Sequence, residues 1–300
     1  MKPLIQCAGL SKSYGNKQAL ASVSFEVSAG APVALVGPNG AGKTTLLSLL
    51  SGFIKPSAGS ASILGQTPGS AALCNRLGAL PQDAQLDPNM SIHSQLSLLA
   101  RLQGYRSSGA KAEASRVLER VGLLAEQGNK PRGLSHGMNK RVSIAQALIG
   151  SPELVLLDEP TAGLDPVNSM AIRQCIAELA DQSTFVISSH NLDELEKLCA
   201  SVLYLEQGVL SQEQLHSEAS QGYLGITMRE VDEKSLLASL SALAGVQQVQ
   251  LKQKNEFLLQ YDHQAHGDLD QRLLKLFADN NWQYRQLTRG QSLEDKLFSS

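Results

Sequence analysis

The sequence predicts an α/β protein followed by a second, smaller α+β domain, and three observations support this. Short runs in which every residue is apolar, at 33–36 and 154–157, have the length and composition of strands buried on both faces of a parallel sheet. Residues 4–29 instead alternate apolar and polar side chains, which is typical of half-exposed antiparallel strands. Beyond about residue 215 the predicted elements follow the order β-α-β-β-α-β, the order of a small split-βαβ domain.

The first buried strand leads into a glycine-rich loop and then an apolar helix at 44–50. Glycines let a loop curl until its backbone N–H groups converge, and the helix N-terminus behind it favours a bound phosphate. We predict that Lys43 reaches the β- and γ-phosphates of a nucleotide and that the Thr44 hydroxyl binds Mg²⁺. The alternative, a chance match to a glycine-rich turn, is disfavoured by the strand and helix on either side. The predicted nucleotide-binding residues here are Gly37, Pro38, Asn39, Gly40, Ala41, Gly42, Lys43, Thr44 and Thr45.

Composition excludes several classes of protein. The 300 residues are 42% hydrophobic and 18% charged, as in ordinary globular proteins. The net charge of −2 argues against a nucleic-acid surface held by bulk charge. No run approaches the roughly 18 apolar residues of a membrane-spanning helix, and the N-terminus lacks a signal-peptide pattern. The four cysteines lack a metal-binding spacing, so we expect buried thiols in a reducing compartment.

Two adjacent carboxylates, Asp158 and Glu159, follow the buried run at 154–157. Open α/β sheets bind their ligands at the carboxyl ends of parallel strands, which is where this pair is predicted to lie. We assign Asp158 to Mg²⁺, held through its water shell, and Glu159 to the polarisation of an attacking water. The alternative is a pair that merely caps the strand.

Two further polar residues follow predicted strands. Gln82 comes after the strand at 77–80, where a glutamine can ligate Mg²⁺ or position a water, although taken alone it is more often a solvated loop residue. His190 follows a third buried strand, at 184–188. A lone histidine is usually structural, but its position at a strand end, like those of Gln82 and Asp158, favours a catalytic role.

Residues 91–150 are predicted to be helical throughout, with Ser91 as an N-cap. Within this region, Ser135 and Gly137 precede an apolar stripe and are predicted to lie at a helix N-terminus, which makes a second anion site. A plain serine cap is the alternative. Tyr14 lies between the two alternating strands, where its ring can stack on adenine or simply occupy a turn.

The tail has its own predicted elements, and 212–222 is the predicted linker. Its strands are predicted at 223–228, 246–251, 257–261 and 282–287, its helices at 233–244 and 268–280, and a final helix at 292–298.

Taken together, residues 1 to about 215 resemble the nucleotide-binding subunit of ABC transporters. Residues 37–44 resemble the Walker A loop of the P-loop NTPase fold, and 154–159 the Walker B strand with its catalytic glutamate. The resemblance implies that Tyr14 stacks on adenine, that Gln82 and His190 occupy the Q-loop and switch-histidine positions, and that Asp165 lies in the D-loop. It also implies ATP and Mg²⁺ as ligands and an ABC-type fold with antiparallel β and α-helical subdomains.

The segment Leu-Ser-His-Gly-Met at 134–138 is similar to the LSGGQ signature of that family. It departs from the signature at His136 and Met138, while Ser135 and Gly137 remain to meet the γ-phosphate. In this family two subunits pair head to tail, so the resemblance implies a homodimer in which Ser135 and Gly137 complete the site built on the partner's Lys43. ATP binding then closes the dimer and hydrolysis opens it.

The domains expected from the resemblance are an ABC-type nucleotide-binding domain at 1–215, with a helical subdomain at about 85–150, and an accessory α+β domain at 216–300. The tail resembles the C-terminal extension of bacterial ABC-2-type export ATPases. The implied function is therefore ATP hydrolysis that drives a separate membrane permease, which docks on residues 85–130. The expected location is peripheral, on the cytoplasmic face of the inner (plasma) membrane. The alternative is a soluble ABC ATPase acting on the ribosome or on DNA, but the chain has neither a second cassette nor a basic surface, so we expect no nucleic acid partner.

Overall fold

The computed structural model describes residues 3–191, 195, 198–214, 221–262 and 266–289. The chain divides into two compact units, Met1–Leu215 and His216–Ser300. The predicted linker lies partly outside the described residues, and the predicted final helix at 292–298 lies wholly outside them. Within the described ranges, no helix is long and apolar enough to cross a membrane.

The first unit contains a mainly parallel sheet of six strands. The elements described in this unit are β1 (Ile5–Tyr14), β2 (Lys17–Val27), β3 (Val33–Val36), α1 (Lys43–Leu50), β4 (Ala58–Ile63), β5 (Leu77–Leu80), α2 (Ile92–Leu102), α3 (Ser107–Arg120), α4 (His136–Ala147), β6 (Leu154–Leu157), α5 (Pro166–Leu179), β7 (Thr184–Ser189), β8 (Ser201–Glu206) and β9 (Val209–Gln214). The order of the sheet is β5-β6-β7-β3-β8-β9, and only the β8–β9 hairpin is antiparallel. Every residue of β3, β6 and β7 is buried, as predicted for strands covered on both faces.

A second sheet in this unit is antiparallel and has the order β2-β1-β4. Its strands alternate buried and exposed residues over much of their length, as the alternating sequence predicts. Their buried side chains share one hydrophobic core with α1 and the parallel sheet. A backbone bond of 2.8 Å from the Ala21 N–H to the Gly208 carbonyl joins this sheet to the β8–β9 turn.

The region predicted to be helical throughout, 91–150, is instead broken into three α-helices. The prediction is wrong at 103–106, at 148–150 and over most of 121–135, where only Leu124–Glu126 and Pro131–Gly133 form short 3₁₀ helices. Gly104 and Gly122 follow α2 and α3 with φ of +96° and +68°, a left-handed conformation that ends a helix and that glycine adopts without strain. The predicted cap at Ser91 is confirmed, since Ser91 accepts the Ser94 N–H. Ser135 lies at a helix N-terminus, as predicted, and its hydroxyl accepts the Met138 N–H.

The second unit is an α+β sandwich of one sheet and two helices. Its described elements are β10 (Gln221–Met228), α6 (Glu233–Ser241), β11 (Val246–Gln253), β12 (Glu256–Asp262), α7 (Leu269–Asp279) and β13 (Tyr284–Arg289). The sheet order β11-β12-β10-β13 confirms the predicted split-βαβ arrangement, which is the ferredoxin-like fold. The last strand begins two residues later than predicted because the Trp282 N–H still bonds to the Phe277 carbonyl at the end of α7.

The expectation of four buried thiols is wrong for one cysteine. All four are free, and Cys7, Cys175 and Cys199 are buried, but Cys74 is exposed in the turn before β5. Burial raises the pKa of Cys7 and Cys199 to about 12 and that of Cys175 to about 11. These three thiols are therefore protonated and unreactive at neutral pH.

Candidate active site

The candidate site lies at the carboxyl edge of the parallel sheet. Strands β6, β7 and β3 are consecutive in the sheet, and parallel strands end at the same edge. The glycine-rich loop after β3, the carboxylates after β6 and the histidine after β7 therefore come together, although they lie far apart in the sequence.

Lys43 is buried inside the glycine-rich loop. Its ammonium donates to the carbonyls of Gly37 at 2.7 Å and Pro38 at 3.2 Å, and its side chain is only 5% exposed. Gly37 is required because a Cβ there would overlap the Leu205 carbonyl oxygen. Gly42 has a φ of +111°, and a Cβ there would lie 2.6 Å from the Ala19 carbonyl oxygen. The loop thus depends on these two glycines for its shape.

The rest of the predicted loop is arranged around this lysine. Ala41 is buried, Thr45 is half-buried, and the exposed residues of the loop are Pro38, Asn39, Gly40 and Thr44. Thr44 lies in the first turn of α1, where the N–H groups of the helix have no partner within the helix. The exposed edge of the loop therefore carries backbone donors and a hydroxyl, which is the chemistry that binds a phosphate and its cation.

The two carboxylates after β6 have different surroundings. Asp158 is buried, and its Oδ1 accepts a 2.5 Å hydrogen bond from the Ser188 hydroxyl. Glu159 has a left-handed backbone, with φ of +47°, and its N–H donates to the same hydroxyl at 2.8 Å. One buried serine on β7 therefore contacts both residues.

The Glu159 side chain lies between a lysine and a histidine. Its Oε1 is 3.6 Å from the Lys43 ammonium and its Oε2 is 3.3 Å from His190 Nδ1. The glutamate side chain is 11% exposed, whereas that of His190 is 53% exposed. The structure thus brings together three of the predicted residues, Lys43, Glu159 and His190, in an order that leads from the loop to the solvent.

Gln82 lies close by in the fold but makes no described contact with the carboxylates. It follows β5 by two residues, and the Asp158 N–H donates to the Leu80 carbonyl at 3.0 Å, which ties the ends of β5 and β6 together. Gln82 itself is exposed and lines an open cavity of about 420 Å³ that also includes His136 and Lys140 of α4. The structure describes no hydrogen bond from Gln82 to Asp158 or Glu159, so it does not show the predicted contact of Gln82 with the metal site.

The Ser135 and Gly137 segment begins α4 and packs against the start of α5. A Cβ at Gly137 would overlap the side-chain amide of Asn168. That amide donates a 2.5 Å hydrogen bond to Asp165 Oδ2, and Asp165 Oδ1 also accepts the N–H groups of Val167 and Asn168. Bonds from the Asn168 N–H and side-chain amide lower the pKa of Asp165. Asp165, the predicted D-loop residue, therefore caps α5 and fixes the amide beside Gly137.

Within the described part of the chain, no hydrogen bond or ion pair links Ser135 or Gly137 to the glycine-rich loop. Among the described residues, the two predicted anion-binding segments are therefore not joined by hydrogen bonds or ion pairs within one subunit.

Tyr14 ends β1 and is 51% exposed, so its ring is available to a planar ligand. The Lys12 ammonium lies 5.1 Å from the centre of this ring and donates to the Lys55 carbonyl at 2.8 Å. These contacts connect the tyrosine to the loop that follows α1.

Sequence reasoning missed three residues that contact the predicted ones. Ser188 is the first polar side chain after three apolar residues in a buried strand, and this interruption is a signal that was available. Asn168 and Lys12 gave no such signal in the sequence, because their contacts with Gly137 and Tyr14 depend on how helices and strands pack.

A strand, a glycine loop around a buried lysine, and a carboxylate pair after another parallel strand of the same sheet together define a P-loop nucleoside triphosphatase. Comparisons with known proteins define it further. Residues 20–162 match the ABC transporter family. The linearmycin resistance ATP-binding protein LnrL of Bacillus subtilis (strain 168) is 34% identical over 208 residues, which cover 68% of this chain and 67% of that protein. The Nod factor export ATP-binding protein I of Burkholderia orbicola (strain AU 1054) is 34% identical over 246 residues, covering 80% and 81% of the two chains.

Solved structures agree with these sequence matches. The ATP-binding cassette MJ0796, solved as a post-hydrolysis dimer with ADP and Pi, superposes with a TM-score of 0.64 and 25% identity over 71% of this chain and 99% of that one. An ATP-binding subunit of an ABC transporter superposes with a TM-score of 0.61 and 28% identity over 71% and 90%. The chain belongs to the ABC transporter family, as an ATP-binding subunit that hydrolyses ATP, and the resemblance predicted from its motifs is confirmed.

Proposed function

We propose that this subunit powers an exporter whose membrane permease is a separate chain, and that it works as a homodimer. The observation that carries the proposal is the Glu159 carboxylate between Lys43 and His190. A glutamate in this place can orient and polarise a water next to a phosphate that Lys43 holds. Relatives named for Nod factor export and linearmycin resistance support the export direction.

Phosphate binding is assigned to the glycine-rich loop. Lys43 lies where its ammonium can exchange its two carbonyl partners for phosphate oxygens, which are stronger acceptors. The backbone N–H groups of 37–45 complete the cradle. Tyr14 stacks on the adenine, since its exposed ring suits a planar base.

The residues present fit a magnesium ion. The Thr44 hydroxyl and the Asp158 carboxylate are hard oxygen donors, the type that Mg²⁺ prefers, and Gln82 offers an amide oxygen. When bound, Mg²⁺ neutralises charge on the phosphoryl group that is transferred. Asp158 keeps its second carboxylate oxygen for this role, because Ser188 bonds only to Oδ1 among the described contacts.

Glu159 acts as the general base and His190 positions it. The carboxylate accepts a proton from the attacking water, and the 3.3 Å contact with His190 Nδ1 fixes the orientation of the Oε2 atom. Because His190 is largely exposed, it also lies where a terminal phosphate can be contacted. Asp165, at the start of α5, is proposed to lie at the subunit interface.

The homodimer supplies the missing side of the nucleotide. Ser135 and Gly137 begin α4, where free N–H groups favour an anion, and no described contact brings them to the loop of their own chain. A head-to-tail pair places them on the nucleotide bound by the partner, and two identical sites close the assembly. His136 and Met138 alter this segment without removing the hydroxyl of Ser135.

The permease is proposed to dock on the helical region. Leu98 and Leu102 on α2 are exposed apolar side chains, and the loop at 85–90 that precedes α2 is adjacent in the chain. A peripheral position on the cytoplasmic face of the plasma membrane follows from this docking. The division into a catalytic domain at 1–215 and an accessory domain at 216–300 is part of the same proposal.

Affinity capture tests the proposal. Tagged Glu159→Gln protein is incubated with ATP and recovered from detergent-solubilised membranes of its own source, and the bound proteins are identified by mass spectrometry. Lys43→Ala protein without ATP is the control. We expect an integral membrane protein with several spans, enriched over the control. Enrichment of ribosomal or DNA-bound proteins instead would overturn the exporter assignment.

A further inference from the structure

We propose that the Ser188 hydroxyl is a positioning group that sets Asp158 and Glu159 together for phosphoryl transfer. This inference rests on the proposed function of the same site. It concerns a residue outside the predicted motifs, on β7, which lies in the sheet between β3, the strand before the glycine loop, and β6, the strand before the carboxylates.

The hydrogen bonds of Ser188 use both capacities of its hydroxyl. The group is completely buried, at 0% exposure. It donates its only proton to Asp158 Oδ1 at 2.5 Å and accepts the Glu159 N–H at 2.8 Å. The bond to a carboxylate is charge-assisted, and charge-assisted bonds are the short and strong ones. One small side chain therefore determines where one carboxylate and the next peptide lie.

The sheet holds Ser188 rigidly in this place. The parallel register pairs Leu157 of β6 with Ile187 of β7, so Asp158 and Ser188 are the next residues on these two strands. On its other side Ser188 is paired with Leu35 of β3, the strand that leads into the glycine loop. The backbone of Ser188 is therefore held by strand pairing on both sides. Loss of its hydroxyl bonds should change the positions of the carboxylates rather than that of the strand.

Glu159 depends on this hydroxyl because its backbone is strained. Its φ of +47° is a conformation that residues with a Cβ disfavour. The bond from its N–H to Ser188 stabilises that peptide orientation, which in turn directs the side chain to Lys43 and His190. Without the hydroxyl, the Glu159 N–H loses this partner and the peptide is free to leave the left-handed region.

The strand also offers a matched control. Thr184 begins β7 and is buried, and its hydroxyl, like that of Ser188, makes two hydrogen bonds. It accepts the Gly30 N–H at 3.0 Å and donates to the Gly30 carbonyl at 3.4 Å. It lies four residues, or about 13 Å, from Ser188 at the end of the strand far from the site. Thr184→Val therefore removes a buried hydroxyl from the same strand without affecting the carboxylates.

The test compares Ser188→Ala with Thr184→Val. We expect both variants to lose a similar amount of thermal stability. Only Ser188→Ala is expected to lose about 10- to 100-fold in kcat, the size of one charge-assisted hydrogen bond, with KM for ATP within about threefold. In equilibrium binding of a fluorescent ATP analogue, the Mg²⁺ concentration needed for half-maximal binding rises for Ser188→Ala, whereas binding in EDTA does not change.

Two further variants keep the result decisive. At saturating Mg²⁺, which offsets a weaker hold by Asp158, adding Ser188→Ala to Glu159→Gln should cost little further turnover, because the remaining effect of the hydroxyl acts through the glutamate. If Ser188→Ala does not fold, Ser188→Cys, which has nearly the same volume and a weak hydrogen-bonding group, takes its place under the same criteria.

Wild-type kcat and wild-type Mg²⁺ dependence in the folded Ser188 variant would overturn the inference, provided that Glu159→Gln has lost turnover. An equal loss of kcat in Thr184→Val would also overturn it, since the effect would then be one of stability. If Glu159→Gln itself hydrolyses ATP normally, the proposed function of the site fails, and the Ser188 inference fails with it.

Discussion

Replacing Glu159 by glutamine probes the proposed general base with little change in shape. The side-chain oxygen can stay near the Lys43 ammonium, which is 3.6 Å away, while the new NH₂ group faces His190 Nδ1. That contact persists in the histidine tautomer whose Nδ1 carries no proton. We therefore expect a folded protein whose loop and strands are unchanged and which lacks a group able to accept a proton.

The size of the effect follows from the role. A positioned general base contributes about 10²- to 10⁴-fold, so kcat should fall by that factor, equivalent to about 3–5 kcal/mol in the barrier. ATP affinity should be equal or higher. The substitution removes a negative charge that competes for Lys43 and that repels the terminal phosphate. ATP-dependent dimers should accordingly persist, because they are no longer opened by hydrolysis.

The assay measures phosphate release at saturating Mg²⁺ and ATP, with nucleotide affinity and dimer formation measured on the same protein. Glu153→Gln is the matched control, since Glu153 lies just before β6, pairs with Arg76 and is exposed. It should turn over ATP at the wild-type rate. Near-normal hydrolysis by Glu159→Gln would refute the reasoning, and so would a loss of ATP binding that accounts for the whole decrease.

Four further predictions concern single features of the fold. Lys43→Ala should abolish measurable ATP binding in equilibrium titration, and unchanged affinity would contradict the phosphate-loop assignment. Tyr14→Ala should raise KM for ATP about fivefold, the lower end of base stacking, and leave tripolyphosphate inhibition unchanged; an equal effect on both would exclude stacking. At pH 7.5, maleimide should label Cys74 in the native protein and the other three cysteines only after unfolding, as peptide mass spectrometry can show. Finally, burial raises the pKa of Glu113, but hydrogen bonds from Arg116 and the Gly150 N–H outweigh burial, so the pKa of Glu113 is lowered. The stability that these bonds provide is therefore present above pH about 4.5 and is lost as the pH falls further. Glu113→Gln should therefore flatten the acid limb of the melting curve, and an unchanged limb would contradict this.

The parts of the fold predicted correctly are those in which a short segment carries its own signal. The all-apolar runs of β3 and β6 predict buried parallel strands because no polar face is left to expose. Glycine spacing fixes the phosphate loop in the same local way. The β-α-β-β-α-β order of the tail likewise followed from alternation and helical periodicity, and its topology is confirmed.

The failures have a different physical origin. Gly104 and Gly122 follow the ends of α2 and α3. The prediction followed apolar periodicity alone and did not use these two glycines as helix-ending signals, so it extended helix through 103–106 and 121–135. Exposure of Cys74 depends on a surface turn that composition does not reveal. The contacts of Ser188 and Asn168 arise only when strands and helices from distant parts of the sequence are placed side by side.

The central claim, that each ATP site is completed by the partner subunit, is tested most directly by mixing two inactive variants. Ser135→Arg and Lys43→Ala are each inactive alone, but a mixed dimer contains one site in which the loop and the signature segment are both intact. At equal mixing, half of the dimers are mixed and each has one working site, so the account predicts about a quarter of wild-type ATPase activity. No recovery, with mixed dimers demonstrated by differential tags, would contradict it.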